Sequence, residues 1–185
     1  MRNRIVTLSI AAAVAAAAAC GSDNTSPPVS KIVNFTASMT PGGEVNATLA
    51  GNPAGSGTFT ASLDTSTNVF TWSFTFTGMT SNVSMGHIHG PYVVGGGTNS
   101  AGVVLNFDPA TSGASGATKM TFTGLKAATA GSGGGTILLA GSQIIGNGVS
   151  GDSLRKLLLA GNAYVNIHTP TNGGGEIRAQ ISRKQ

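Results

Sequence analysis

The sequence is poor in cysteine, charge and histidine. Cys20 is its only cysteine, so no disulfide can form within the chain and packing must hold the fold together. Only 9% of the residues are charged, and beyond the first few residues the sole adjacent cationic pairs are Arg155-Lys156 and Arg183-Lys184. A nucleic-acid surface needs clustered cations interleaved with stacking aromatics, and that footprint is missing. The six carboxylates are scattered, which leaves no paired acids for glycosidase chemistry. Glu44 and Glu176, the only glutamates, read as structural or solvent-facing charges. No Gly-x-Ser-x-Gly elbow follows a strand. The glycine clusters at 95–97, 133–135 and 173–175 lack the lysine and the strand–loop–helix setting of a phosphate loop.

The start of the chain carries its own signal. Met1-Arg2-Asn3-Arg4 is followed by an apolar stretch at 5–19, too short to span a bilayer comfortably, and no later run is apolar enough to do so. This is the pattern of a cleaved secretory signal over residues 1–19. Ala17-Ala18-Ala19-Cys20-Gly21-Ser22 also resembles the lipobox of bacterial lipoproteins. That resemblance implies that Cys20 is lipidated and becomes the mature N-terminus. The protein would then sit in the bacterial cell envelope, held on a membrane surface by acyl chains and facing the periplasm or the exterior. An ordinary cleaved signal with an incidental cysteine is the other reading. Residues 20–30, with Pro27-Pro28, form an aperiodic tether, and residues 31–185 fit one domain with one core. Loss of Arg2 and Arg4 lowers the formal charge from +4 to +2.

Within that domain the signal is β. Phe70, Trp72, Phe74 and Phe76 recur at period two, with threonine or serine between them, as a strand with one buried and one wet face requires. Shorter runs at 32–39, 44–49, 57–63, 102–107, 119–123, 163–168 and 176–181 alternate between turns rich in Gly, Pro and Asn. The segment 126–151 has too many small residues to read beyond one or two short strands. A single short helix is expected near 152–161, with Asp152 as its cap, Leu154, Leu157 and Leu158 on one face, and Gly161 at its end. The expected fold is therefore all-β, an antiparallel Greek-key sandwich or barrel with that one helix.

The histidines fall into two of these strands. Residues i and i+2 of a strand share a face. His87 and His89 are thus placed together, opposite Ile88, and His168 stands opposite Val165 and Ile167. With the apolar residues inward, all three imidazoles are expected on one outer face, which Glu176, Arg178 and Gln180 share. Three imidazoles suit copper or zinc and leave a coordination position open, and Glu176 is placed to fix the tautomer of a metal-bound imidazole. The same residues also suit a purely structural hydrogen-bonding role, or a surface for another ligand such as an extracellular protein or matrix component. Alternation alone leaves these readings open; the first expectation is a non-enzymatic binding or structural module, and the alternative is a copper- or zinc-binding protein with redox chemistry at the three histidines.

Taken together, Phe35-Thr36-Ala37, Gly57-Thr58-Phe59, Gly86-His87-Ile88-His89-Gly90-Pro91, Tyr164-Val165-Asn166-Ile167-His168-Thr169 and Gly174-Gly175-Glu176-Ile177-Arg178-Ala179-Gln180-Ile181 resemble the CHRD domain, named from chordin. The resemblance runs over about 31–182 and implies an all-β sandwich or barrel, without implying an established activity. Asn46-Ala47 replaces prolines usual after Glu44-Val45, and 126–151 looks like an insertion. His87, His89, His168 and Arg178 also occur in the order of the copper-ligating histidines and anion-guiding arginine of copper/zinc superoxide dismutases. That second resemblance is partial. Asn106 stands near the place of the metal-bridging histidine, no histidines remain for a zinc site, and the disulfide is missing.

Overall fold

A computed structural model of the chain describes residues 31–45, 48–93, 101–107, 128–141, 144–146 and 149–185. Two antiparallel sheets face each other, and among the described residues they do not close into a barrel. The first sheet is built on β1 (Ile32–Met39), β2 (Ser56–Asp64) and β3 (Val69–Thr77). The second is built on β4 (Met85–His89) and β5 (Val103–Asn106). The chain then returns to the first sheet as β6 (Gly131–Leu138) and makes a small ribbon of β7 (Ile144–Gly146) and β8 (Val149–Ser150). Helix α1 (Gly151–Ala160) follows, then β9 (Tyr164–His168), β10 (Ile177–Gln180) and β11 (Ser182–Arg183). The strand orders are β11-β1-β2-β3-β6 and β10-β9-β4-β5.

The core lies between the sheets and follows the period-two pattern. Phe35, Ala37 and Met39 of β1, Phe59, Ala61 and Leu63 of β2, and Phe70, Trp72, Phe74 and Phe76 of β3 are buried, with serines and threonines alternating between most of them. Ile88, Leu105, Val165, Ile167 and Ile177 come from the second sheet. Phe107, just after β5, stacks on Phe59 at 6.2 Å, Trp72 at 6.0 Å and Phe74 at 5.0 Å between ring centroids, and so ties the sheets together. Gly86 leaves it room, since a Cβ there would lie 2.8 Å from the Phe107 ring.

Three expectations need correction. The glycine-rich stretch that looked like an excursion contains a full strand, β6, paired with β3 over its length. Its register sets Gly131, Gly133 and Gly135 opposite Phe76, Phe74 and Trp72. At Gly135 the Trp72 ring occupies the space a side chain would fill. The run at 44–49 is not a strand at its described positions. Instead a 3-10 turn at Pro41–Gly43 leads into a loop that covers the second sheet. The cap of helix α1 lies two residues earlier than expected, because the Ser150 hydroxyl, not the Asp152 side chain, accepts from the Ser153 N–H. Gly161 ends the helix in the left-handed conformation, φ 71°, and Leu154 and Leu158 dock on the core. The expected strand at 119–123 lies outside the described residues.

The β6 packing is testable. A Cβ on Gly135 would lie 2.5 Å from the Trp72 ring, whereas one on Gly174 meets nothing within 4 Å. Gly135→Ala is expected to destabilise the fold by about 1–3 kcal/mol and to change Trp72 fluorescence, with Gly174→Ala close to neutral in the same urea titration.

Candidate metal centre

The second sheet has an apolar side and a polar side. In register, His87 of β4 lies opposite Asn166 of β9 and Asn106 of β5, and His89 lies opposite Tyr164. Arg178 and Gln180 of β10 extend the same two rows beyond Asn166 and Tyr164. Residues paired across strands project to the same face. His87, His89 and His168 therefore share one side with Asn106, Asn166, Tyr164, Arg178 and Gln180. The opposite side, with Ile88, Val165, Ile167 and Ile177, faces the core.

Alternation assigned the faces correctly, but the polar face is not an outer one. His89, His168, Asn166 and Arg178 are only 8%, 6%, 3% and 4% exposed, and His87 is half-buried. All five residues of β9 are buried. The cover comes from loops. Glu44 reaches Asn166, Tyr92 packs edge-on to Tyr164 at 5.1 Å, Ala101 caps His89, and the turn after Thr169 caps His168.

These caps fix the imidazole protons. His89 Nδ1 lies 2.8 Å from the Ala101 carbonyl and His168 Nδ1 3.0 Å from the Gly173 carbonyl. A carbonyl only accepts, so each Nδ1 carries the hydrogen and each Nε2 presents a lone pair. His89 Nε2 is buried without a hydrogen-bond partner. His168 Nε2 lies 3.0 Å from His87 Nδ1 and 2.9 Å from Asn166 Oδ1. One ring nitrogen from each of the three histidines falls within 4.8 Å of the others. With bonds of about 2.0–2.1 Å a single ion spans at most about 4 Å between ligand atoms, so side-chain adjustments of less than about 1 Å bring the set to bonding distance.

The electrostatics keep the cluster neutral. Burial pushes His87 down to about 3, helped by the neighbouring His168 and His89. Burial also lowers His89, helped by His168 and Arg178 and against the upward pull of the Ala101 carbonyl and the nearby Asn166 side chain, and lowers His168, against that of Gly173. Neutral imidazoles with lone pairs already exposed are the form a metal ion takes up.

The remaining expected residues are placed differently. Glu176 is fully buried and does not reach an imidazole; the backbone carbonyl of Gly173 holds His168 instead. The Glu176 carboxylate accepts from the Thr80 N–H and hydroxyl, the Thr169 hydroxyl and Asn172 Nδ2, and so locks the turn after β9 to the loop before β4. Arg178 is sandwiched between rings, its Cζ 3.5 Å from the Tyr164 centroid and 4.4 Å from that of Tyr92. Tyr164 stacks its other face on His89 at 4.7 Å with an interplanar angle of 3°. Arg178 thus supports His89 from behind through Tyr164. Sequence reasoning gave Asn166 and Tyr164 no place in the site and read Glu44 as a structural or solvent-facing charge. The first two were discoverable, because they share the period-two row of His168; Glu44 stands on a stretch whose alternation reads as a strand and whose described positions form a loop.

The Glu176 clasp sets a pH test. Burial pushes this carboxyl up, but the hydrogen bonds from Thr169, Thr80 and Asn172 outweigh it and the net shift is downward from 4.5. A depressed folded-state value adds stability above about pH 4.5, and that stability is lost as the pH falls through the folded value. Glu176→Gln is expected to lower stability by about 1–3 kcal/mol at pH 7. The gap to wild type should close below pH 4.5 in paired denaturation curves.

One comparison with known proteins identifies the chain. No curated protein and no solved structure matches it. The model of the CHRD domain family matches residues 35–181, which contain the whole second sheet, most of the first and all three histidines. The chain belongs to the CHRD domain family.

Proposed function

We propose that this CHRD protein is an exported module of the bacterial cell envelope that holds a single copper or zinc ion on His87, His89 and His168. The observation that carries the metal reading is the proton arrangement. Two imidazoles donate Nδ1–H to backbone carbonyls and turn Nε2 lone pairs toward the third, one of them buried with no partner. A buried acceptor without a partner costs about 1–3 kcal/mol, and a bound cation would recover it. A set of imidazoles suits copper and zinc better than calcium or magnesium, which take oxygen ligands. Three protein ligands leave a position for water or a small ligand. We assign the chain no catalytic step.

The anchor belongs to the same proposal. Ala17-Ala18-Ala19-Cys20 supports cleavage before Cys20 and its lipidation, which would tether the domain through residues 20–30. A metal-binding domain held at a membrane surface is open to ions and partners outside the cytoplasm.

Titration of the full-length protein with Cu(II) or Zn(II) is expected to give one ion per chain. His168→Ala and His87→Ala should each lose stoichiometric binding while keeping the wild-type far-UV spectrum. Wild-type protein that takes up neither metal overturns the metal reading. In cells, Cys20→Ala is expected to abolish palmitate labelling and to move the protein from the membrane fraction to the soluble one. Unchanged labelling would remove the anchor.

A further inference from the structure

The row that holds His87 and His89 continues to Met85. Residues i and i+2 of a strand share a face, so these three residues of β4 project together. Gly86, between the first two, faces the other way, because a Cβ on it would lie 2.8 Å from the Phe107 ring in the core. Met85 therefore stands on the polar side of the second sheet. It is paired in register with His168 of β9. Residues so paired share a face, with Cβ atoms about 5 Å apart. One methionine thus neighbours two of the three histidines, His87 along its own strand and His168 across the ladder. The backbone beside it is pinned to the same histidine, since the Ser84 N–H donates to the His168 carbonyl at 2.9 Å.

Exposure falls along this row. Met85 is 42% exposed, His87 is half-buried and His89 is buried. The histidine cluster therefore opens toward solvent at its Met85 end. Met85 takes no part in the core cluster, in contrast to the buried Met39 and Met79. Core packing does not account for a large apolar side chain at that mouth. A thioether is a soft metal ligand, and the methionine side chain is unbranched with three rotatable bonds, so its reach adapts to a nearby site.

Resting on the metal reading above, we infer that Met85 supplies the fourth ligand of the histidine site and makes that site selective for copper(I). Its sulfur occupies the position that three imidazoles leave open. Thioether sulfur selects Cu(I), whereas zinc takes imidazole, thiolate and carboxylate ligands. Zinc on the same three histidines keeps water in the fourth position and gains nothing from Met85. None of the four ligands carries a charge when bound. Taking an ion out of water costs more as its charge rises, so such a set favours a monovalent ion over a divalent one. Uptake is a ligand exchange: copper enters as Cu(I) and no electron is transferred.

The test compares full-length wild type with Met85→Leu, which keeps the volume and removes the sulfur. Under anaerobic conditions with ascorbate, Cu(I) is partitioned between the protein and a coloured Cu(I) chelator. Zn(II) is partitioned in parallel against a zinc chelator. Met85→Leu is expected to weaken Cu(I) binding by about tenfold or more and to leave zinc binding within about twofold. X-ray absorption at the copper edge should show a sulfur neighbour at about 2.3 Å in wild type and none in Met85→Leu. Equal Cu(I) affinity in the two proteins, a wild-type copper site without sulfur, or wild type that binds zinc but not Cu(I) overturns the role of Met85 and leaves the three-histidine site standing. Equal losses of Cu(I) and zinc in Met85→Leu overturn it as well, because a structural effect explains both. Wild type that takes up neither ion defeats the metal reading itself.

Discussion

The second sheet is buried on both sides, and the rest of the structure answers to that constraint. One side meets the aromatic layer of the first sheet and needs only shape and apolar area. The other carries Asn106, His87, Asn166, Arg178, His89, Tyr164, Gln180 and His168 with little access to water. Buried polar groups are costly unless paired, so each of these side chains sets a demand on whatever covers it. The cover is made of loops because loops have backbone carbonyls to spare. Ala101 and Gly173 each give one to an imidazole, and Gly161 and Tyr92 give theirs to Gln180.

Loops this exacting must themselves be held. Glu176 does so from within, with four hydrogen bonds that converge on one carboxylate from Thr80, Thr169 and Asn172. Asn172 extends the clasp through its bonds with the Ala50 backbone. Close approach of backbones does the rest. A Cβ on Gly43 would collide with the Arg178 carbonyl, and one on Gly90 would come within 3.0 Å of the Asn162 carbonyl. The imidazoles themselves stand on β4 and β9, paired over five residues, so their spacing is set by a ladder and not by the loops.

Much of this was legible in period two. The aromatic strand, the shared face of the histidines, the short helix and the all-β class all follow from alternation and turn residues. Alternation reports which residues share a face and is silent on what lies over that face. Burial of His89, His168 and Arg178 therefore escaped it. So did the placement of Glu44, whose alternating run at 44–49 reads as a strand and is a loop at its described positions. The glycines of β6 misled for a different reason. Strand signals are side-chain signals, and at Gly135 the space a side chain would fill is taken by Trp72 on the neighbouring strand. Glu176 misled by position. Alternation places it beside His168, but its carboxylate is drawn away by Thr80, distant in sequence, and by Thr169 and Asn172 of the turn that precedes it.

The charge balance of the polar side explains why its acceptors can coexist. Three neutral imidazoles offer lone pairs, and the fixed cation in the layer, Arg178, lies behind Tyr164 with its guanidinium against the two rings and not against the histidines. A second cation among the histidines would thus be separated from the first by an aromatic ring whose two faces both attract positive charge. The carboxylate needed to offset them is at hand in Glu44, near Arg178 and hydrogen-bonded to the amide of Asn166. A histidine in place of Asn106, opposite His87, would have added another ligand to this row. With asparagine there, the described residues gather one group of three imidazoles, with one ring nitrogen from each within 4.8 Å of the others, and the proposed site has three imidazole ligands and not four.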